Sequence, residues 1–474
     1  MSATTLVAGV DSSTQSCKVV VRRLDTGDIV RTGQASHPDG TEVDPEHWWQ
    51  ALQKAIHEAG GLQDVAAVSI AAQQHGMVTL AADGRVVRPA LLWNDTRSAP
   101  QAKRLTETVG RDRFAKETGS VPVASFTLTK LAWLAEHEPD ALTRVHALCL
   151  PHDWLTWRLL GFGPADESPR GPDFDALITD RSDASGTAYF SSSTNGYLPD
   201  LLTEACGRVP LLPRVLGPAD TAGTTPGGVV VGVGAGDNAG AALGLGATPG
   251  DVVVSIGTSG TVFSVSENSA HDESGLVAGF ADASGHYLPL IATLNAARVI
   301  DGTRKLLGVD FVELERLALE AQPGSGGVTL IPYFEGERTP NVPDAKASLH
   351  GLSLSSYTPA NLARASMEGV LCSLADGLDA VKNQGVTPRR ILLIGGSAQN
   401  PAVQKIAPTI FDHPVEVPDP AEYVALGASV QSGWAITGER PNWPIESTPV
   451  AGEHLPAIRE AYAHYRTLAH PKLQ

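Results

Sequence analysis

Residues 229–260 read VVVGVGAGDNAGAALGLGATPGDVVVSIGTSG, and this stretch decides the fold that the sequence predicts. An apolar run leads into the turn GAG at residues 234–236, and Asp237 then opens a helix rich in alanine and glycine. A second apolar run ends in the turn GTSG at residues 257–260. The pattern predicts strand, glycine turn, helix, strand and glycine turn. Because sites in open α/β folds lie where strands end, we expect Asp237 to be exposed at a sheet edge.

The segment around Asp237 has two interpretations. Residues 234–239 (GAGDNA) fit the loose dinucleotide fingerprint G-x-G-x-x-A, but that fingerprint also requires an acid about 20 residues further on. Glycine stands at the end of the next strand instead. The other interpretation is a carboxylate beside a turn whose N–H groups bind phosphate, which favours a phosphoryl-transfer enzyme. A helix cap would be the simpler role for a lone aspartate, and the rest of the chain argues against it.

The composition limits the classes of partner. The chain has 474 residues, enough for two domains, with 35 basic and 52 acidic residues and a net charge of −17. This balance argues against a nucleic acid or an anionic membrane as partner. The four cysteines lie far apart, which argues against a zinc site or a disulfide framework. We expect a cytoplasmic protein, and the sequence leaves its oligomeric state open, with a homodimer as one alternative.

Two pairs of similar segments lie about half a chain apart. Residues 5–23 and 253–265 each read as strand, small polar turn and returning strand. Residues 65–76 and 390–400 each read as a buried strand followed by a small polar turn. A repeat at this spacing predicts two related domains that face each other across a cleft.

The second pair of segments suggests a different ligand for each domain. The first turn carries Gln74 and His75, whose side chains can recognise hydroxyl groups. The second carries Gly395 and Gly396, which leave room for a flat, bulky group such as a nucleotide base, and it ends at Asn400. The expected domains are residues 1–246 for sugar binding and residues 247–474 for nucleotide binding, the latter including a helix that starts near Val424.

A phosphate site in this chain must be built from the paired hairpin turns, because no Walker A sequence is present. Asp11, at the end of the first strand, can hold Mg²⁺ through water, since this ion prefers one or two carboxylates and keeps much of its hydration. Ser13, Thr14, Gly257 and Thr258 would add hydroxyl and N–H donors near the β- and γ-phosphates. Turn statistics alone favour an ordinary turn after Asp11, but the matching turn in the second half reverses that preference.

The WNDTR segment that begins at Trp93 favours a sugar site together with His75. Trp93 offers a flat apolar face, and Asn94, Asp95 and Arg97 offer several hydrogen-bond donors and acceptors. The simpler alternatives are a loop salt bridge within this segment and a purely structural role for the histidine.

Asp237 is the expected catalytic base. In phosphoryl transfer, positioning and charge neutralisation contribute most of the rate, and a carboxylate facing the sugar can accept the hydroxyl proton. An aspartate with an ordinary pKa near ~4 is a poor base toward an alcohol, so we expect late proton transfer, with orientation mattering more than basicity. Together with Asp11, the same carboxylate is expected to lie at the metal.

Taken together, these motifs resemble the FGGY carbohydrate kinases, which have a two-domain, actin-like (ribonuclease H-like) α/β ATPase fold with an interdomain cleft. Residues 125–137 (SFTLTKLAWLAEH) look like the first signature of that family, and residues 347–368 look like its second. Residues 234–240 (GAGDNAG) resemble the segment that holds the catalytic aspartate, which implies that Asp237 is the base. The likeness runs from Val7 nearly to the C-terminus.

Within the family, QQHG at residues 73–76, WNDTR and GDN are most similar to the members that phosphorylate D-xylulose. Those members bind the ketose through the positions matched by Gln74, His75 and Asp237, with Asn238 adjacent. The resemblance implies that ATP, with Mg²⁺, phosphorylates the 5-hydroxyl group of D-xylulose. The alternatives are a kinase for another ketose or polyol such as ribulose or L-xylulose, an actin- or chaperone-like ATPase, and an inactive sugar sensor.

Overall fold

The computed structural model describes residues 5–471, which divide into two compact units. The first unit comprises the residues up to Ala247, Ser269–Leu288 and Ala421–Pro444. The second comprises Thr248–Asn268, Pro289–Pro420 and the residues from Ile445 onward. Each unit is therefore assembled from separated segments of the chain. Within the described range, no helix is both long and apolar enough to span a membrane.

The first half of the chain contains both strands and helices. The strands are β1 (Leu6–Ser12), β2 (Ser16–Arg23), β3 (Ile29–Ser36), β4 (Glu42–Val43), β5 (Val65–Ala72), β6 (Val78–Leu80), β7 (Ala90–Leu91), β8 (Ala147–Cys149), β9 (Ile178–Asp180), β10 (Phe190–Ser191), β11 (Gly196–Tyr197), β12 (Arg214–Leu216), β13 (Thr221–Thr224), β14 (Val230–Gly232) and β15 (Ala235–Gly236). The helices are α1 (Pro45–Glu58), α2 (Ala99–Val109), α3 (Arg111–Thr118), α4 (Thr127–His137), α5 (Pro139–Arg144), α6 (Pro151–Leu159), α7 (Arg181–Ala184), α8 (Pro199–Cys206) and α9 (Asp237–Gly244).

The second half also contains both. The strands are β16 (Asp251–Ile256), β17 (Gly260–Ser264), β18 (Ala278–Ala281), β19 (Tyr287–Thr293), β20 (Thr329–Ile331), β21 (Ser348–His350), β22 (Arg390–Ile394), β23 (Val415–Pro418) and β24 (Ser447–Val450). The helices are α10 (Ala297–Leu307), α11 (Phe311–Glu320), α12 (Pro359–Lys382), α13 (Pro401–Ile410), α14 (Tyr423–Thr437) and α15 (Pro456–Ala469).

One mixed sheet organises the first unit. Its order is β3-β2-β1-β5-β14-β13, and β15 also pairs in parallel with β5. The central strands β1 and β5 are buried along almost their whole length, as their continuous apolar sequences require for strands covered on both faces. Helix α1 packs on β2 and β3 through an apolar face that includes Trp48, Leu52 and Ala55.

The sheet of the second unit repeats this pairing pattern. Both β3-β2-β1-β5-β14-β13 and β19-β17-β16-β22-β23-β24 pair in the sense antiparallel, antiparallel, parallel, parallel, antiparallel. The hairpins predicted at residues 5–23 and 253–265 are confirmed as β1 with β2 and β16 with β17. The duplication read from the sequence is therefore real at the level of topology.

Helix α14 belongs to the first unit although it lies near the end of the chain. It packs against β1, β5 and α9, so the helix expected near Val424 contributes to the first unit and not to the second. Its contact with α9 brings two backbones together. A Cβ atom added at Gly427 would lie 1.9 Å from the carbonyl oxygen of Gly240, and one at Gly244 would lie 2.0 Å from that of Tyr423. Only glycine permits this approach.

This contact makes Gly427→Ala a test of the α9–α14 packing. The added methyl group must push the helices apart, so we expect the first unit to lose about 3 kcal/mol of stability, at the upper end of typical overpacking costs. The measurement is urea unfolding followed by circular dichroism. The matched control is Gly302→Ala, because a Cβ at this helical glycine meets nothing within 4 Å and should raise stability slightly. Equal unfolding midpoints for the two variants would contradict the close contact.

Candidate active site

Three parallel strand ends carry Asp11, Gln74 and Asp237 of the predicted site. Asp11 of β1 and Ala235 of β15 both pair with Ala71 of β5. Gln74 follows the end of β5, and Asp237 follows the end of β15. Because neighbouring parallel strands end at the same edge of a sheet, the structure brings these side chains together at that edge.

Asp237 is the first residue of α9, and its carboxyl group is held by the residue that follows it. Oδ1 accepts hydrogen bonds from the backbone N and the side-chain Nδ2 of Asn238, at 2.7 and 2.8 Å. The side chain is partly exposed, yet loss of water around the carboxyl group raises its pKa to about 6, and the hydrogen bonds from Asn238 oppose that shift. Such a carboxylate is mostly ionised at neutral pH and is a better base than an ordinary aspartate.

Asp11 is a buried acid whose negative charge is poorly compensated. Burial raises its pKa to about 7, nearby Lys18 opposes the shift, and the charges of Asp237 and Glu422 add to it. Lys18 is itself paired with Glu422, with 2.5 Å between Nζ and Oε2. In residues 5–471, Oδ1 of Asp11 has no hydrogen-bond partner. A buried carboxylate oxygen without a partner, near a second acid, fits a divalent cation, which would relieve the repulsion between the two.

Ser182, which the sequence analysis did not single out, links two segments of the site. Its carbonyl oxygen accepts a hydrogen bond from Nε2 of Gln74, and its hydroxyl accepts one from the backbone N of Gly236, both at 3.0 Å. Asp180 fixes Ser182 in α7 by accepting its backbone N–H at 2.7 Å. The sequence does show an Asp at an N-cap position here. That local signal predicts a turn, but it does not reveal that the turn reaches Gln74.

The buried side chain of His152 anchors the same turn. Nδ1 lies 3.0 Å from a carboxylate oxygen of Asp153 and 3.0 Å from one of Asp183, and Nε2 lies 2.8 Å from the carbonyl oxygen of Val233. Burial lowers the pKa of His152, but the two carboxylates outweigh it and hold that pKa well above its usual range. The charged ring donates from both nitrogens, and it thereby ties α7 to the strand end that precedes Asp237.

His75 has a fixed ring orientation. Nδ1 donates a hydrogen bond to the carbonyl oxygen of Gly186 at 2.6 Å. The ring packs near Phe126 and Phe280, with centroid distances of 4.8 and 5.6 Å. In the neutral ring Nε2 is then the nitrogen without hydrogen, which makes it a hydrogen-bond acceptor.

The WNDTR segment divides into two parts. Trp93 is 37 % exposed, and its Nε1 donates to Oγ1 of Thr14 at 2.8 Å. Asp95 is buried and accepts a hydrogen bond from Nε of Arg97 at 2.9 Å, and Arg97 also pairs with Glu42 at 2.7 Å. The loop salt bridge considered as the alternative is thus present. A sugar-binding role for Asp95 and Arg97 stays a prediction.

The other predicted polar residues of the first unit have different surroundings. Oδ1 of Asn94 is buried and has no hydrogen-bond partner within the described chain. The hydroxyl of Ser13 donates to the carbonyl of Ser16 at 2.9 Å and closes the turn between β1 and β2. The hydroxyl of Thr14 lies 3.4 Å from Oε1 of Gln73, so Thr14 joins Trp93 to the end of β5.

The second unit brings the predicted nucleotide-binding glycines together in the same way. Strands β16 and β22 run parallel, with Ser255 opposite Ile394. The turns that follow these two strands therefore lie at one edge of the second sheet. They contain Gly257, Thr258, Gly395 and Gly396.

Glycine is required at one of these positions and leaves space at another. Gly395 has a φ of 94°, and a Cβ there would lie 2.7 Å from the carbonyl oxygen of Ile256. A Cβ at Gly396 would meet nothing within 4 Å, which leaves room for a ligand. The side chain of Asn400 caps α13, since its Oδ1 accepts the backbone N–H of Ala402 at 2.8 Å.

Known proteins share both the sequence and the fold of this chain. Models of the N-terminal and C-terminal domains of the FGGY family of carbohydrate kinases match residues 6–244 and 252–436. The chain is 46% identical to the xylulose kinase of Streptomyces rubiginosus over 94% of this chain and 92% of that protein. It is 33% identical to the xylulose kinase of Escherichia coli over 97% and 96%. The crystal structure of xylulose kinase from Bifidobacterium adolescentis superposes with a TM-score of 0.92 at 47% identity, covering 98% of this chain and 100% of that one.

These matches confirm the two-domain α/β fold class that the sequence predicts. They also remove the actin- or chaperone-like ATPase from the alternatives, because the family models describe carbohydrate kinases. With both family models matched and close relatives aligned over almost its full length, the chain belongs to the FGGY family of carbohydrate kinases.

Proposed function

We propose that the protein transfers the γ-phosphoryl group of ATP to the 5-hydroxyl group of D-xylulose. The names of the relatives aligned above support this sugar. The observation that carries the proposal is Asp237, a carboxylate at a sheet edge with a pKa of about 6. It directly follows Gly236, where an added Cβ would lie 2.7 Å from Gln74, so the base and a polar side chain suited to hydroxyl groups are neighbours.

The sugar is bound by residues that surround this base. Gln74 and Asn238 offer amide groups to its hydroxyls, and Nε2 of His75 accepts a hydrogen bond from one of them. The half-exposed ring of Trp93 covers an apolar face of the sugar. Burial and the bond from Gln74 to Ser182 hold the amide in place before the sugar arrives, which lowers the entropic cost of binding.

Asp237 then accepts the proton of the reacting hydroxyl. Both hydrogen bonds from Asn238 end on Oδ1, so we assign the proton transfer to Oδ2. The raised pKa brings the carboxylate closer to the alcohol in basicity. The hydrogen bond from Gly236 to Ser182 fixes the backbone immediately before the base, and thereby its orientation.

Asp11 and Asp237 are the residues that would hold Mg²⁺. When bound, this ion neutralises the charge that develops on the phosphate oxygens. The partnerless Oδ1 of Asp11 supports this role, because a buried carboxylate oxygen gains most from a cation. We assign the phosphates of ATP to Ser13, Thr14, Gly257 and Thr258, and its nucleoside to Gly395, Gly396 and Asn400.

A panel of sugars tests the choice of substrate. In a coupled assay of ATP consumption, we expect D-xylulose to give a higher kcat/KM than ribulose, L-xylulose and glycerol, as the polar groups at the site are arranged for one pattern of hydroxyls. Turnover of another ketose without turnover of D-xylulose would overturn the assignment of the sugar. It would leave the kinase activity itself in place.

Replacing the base tests the mechanism. Asp237→Asn keeps the size of the side chain but removes its basicity, so we expect kcat for the sugar to fall by about 10³-fold, within the usual range for general-base catalysis. Binding of ATP in the absence of Mg²⁺, measured by calorimetry, should stay within about twofold, because Asp237 is assigned a contact to the metal and none to the nucleotide itself. Asp310→Asn is the matched control, because this exposed acid caps α11 and asparagine caps equally well. Near-normal kcat for Asp237→Asn would refute the base assignment.

The pH dependence of kcat tests the pKa of Asp237. The ionised carboxylate is the active form, and Mg²⁺ held by it would lower its pKa, so activity should be lost at or below a pH of about 6, with a slope of about tenfold per pH unit at lower pH. Asn238→Ala removes a hydrogen bond that favours the ionised form, so the acid limb should move to higher pH. An unchanged acid limb in that variant would show that another group controls it.

A further inference from the structure

Lys130 of α4 is a buried lysine whose terminal nitrogen bonds to backbone carbonyl oxygens. Its side chain is completely inaccessible, and the acid whose charge favours its ionised form is Asp95. Nζ donates instead to the carbonyl oxygens of His75 and Ser125, at 2.8 and 2.7 Å. A buried lysine costs folding free energy unless its N–H groups donate hydrogen bonds. In Lys130 these groups donate to two backbone carbonyl oxygens. Burial also lowers the pKa of Lys130 well below its usual range.

The backbone of His75 needs such support. Its φ is 69°, a left-handed conformation that residues other than glycine adopt rarely. Its carbonyl oxygen also accepts a hydrogen bond from Oγ1 of Thr127 at 3.2 Å. Two side chains of α4 therefore donate to the carbonyl oxygen of His75. The backbone conformation that they hold sets the direction of the imidazole ring.

We propose that Lys130 and Thr127 are positioning residues for the sugar site, which act by holding the His75 carbonyl so that the imidazole faces the sugar. The inference rests on the proposed role of His75 in sugar binding. The neighbouring contacts show that the ring has little other freedom, because Nδ1 is bound to Gly186 and Phe126 packs near the ring. A change in the backbone angle at His75 would break these contacts or turn Nε2 away. Neither Lys130 nor Thr127 takes part in the chemical step.

A pair of threonine variants tests the inference with little disturbance of the fold. Thr127→Val removes the hydroxyl that donates to His75 and leaves the donor from Lys130 in place. Thr129→Val is the matched control, since Thr129 is equally buried in the same helix and its hydroxyl bonds to other carbonyls, among them that of Phe126 at 2.8 Å. We expect Thr127→Val to raise the KM for the sugar about fivefold, the effect of one net hydrogen bond. Its kcat and its KM for ATP should stay within about twofold. Thr129→Val should leave all three unchanged.

Lys130→Met tests the stronger of the two donors. Methionine fills a similar volume without the amino group, and we expect the KM for the sugar to rise about tenfold, since the shorter of the two side-chain bonds to the His75 carbonyl is lost. Circular dichroism and the melting temperature show whether the variant folds. If it does not fold, the threonine pair still decides the matter, because equal sugar KM values for Thr127→Val and Thr129→Val would overturn the inference.

A double-mutant cycle separates positioning from general stabilisation. In a His75→Ala background the ring is already absent, so Thr127→Val and Lys130→Met should change the sugar KM no further. Full additivity of the effects would overturn the inference, since it would mean that the two residues act without His75. The cycle is run with whichever sugar of the panel the wild-type enzyme turns over best. Failure of the D-xylulose assignment is thus seen in the wild type, and failure of the positioning role is seen in the cycle.

Discussion

The parallel pairing of β5 with β1 on one side and β15 on the other is the constraint on which the site depends. One residue, Ala71, sets the register for Asp11 and Ala235 together, and a slip of one position would turn alternate side chains to the opposite face. The strands consist mainly of small, buried residues held by backbone hydrogen bonds. The positions of the site residues at the sheet edge are consequently fixed by the fold. Ligand binding needs to order few of them.

The first unit contains buried acids in two kinds of surroundings. Asp95 has a positively charged partner, Arg97, and its other carboxylate oxygen accepts a hydrogen bond from Thr41, as a buried charge in a stable core requires. Asp11 differs, because its nearest cation is already engaged by another acid and one of its oxygens has no partner among the described residues. Such an uncompensated charge destabilises the folded chain. It is consistent with a group that is completed by a ligand.

Local sequence patterns were sufficient to predict the strands, the turns and the duplication, because these features depend on residues that are neighbours along the chain. They were insufficient where a contact joins distant segments. The bonds from Ser182 to Gly236 and Gln74 span 54 and 108 residues, and no periodicity reveals them. The raised pKa of Asp237 was also out of reach, since it arises from loss of water in the folded structure. The packing of α14 in the first unit was missed for the same reason.

The placement of α14 has a consequence for how the chain is made. A ribosome that has synthesised the residues up to Ala247 has produced β1, β5 and α9, but the helix that covers them begins only at Tyr423. Until then, apolar surface on these elements stays open to water or to chaperones. Cutting the gene at the boundary between the two family domains would therefore remove a helix that packs on β1 and β5 of the N-terminal half.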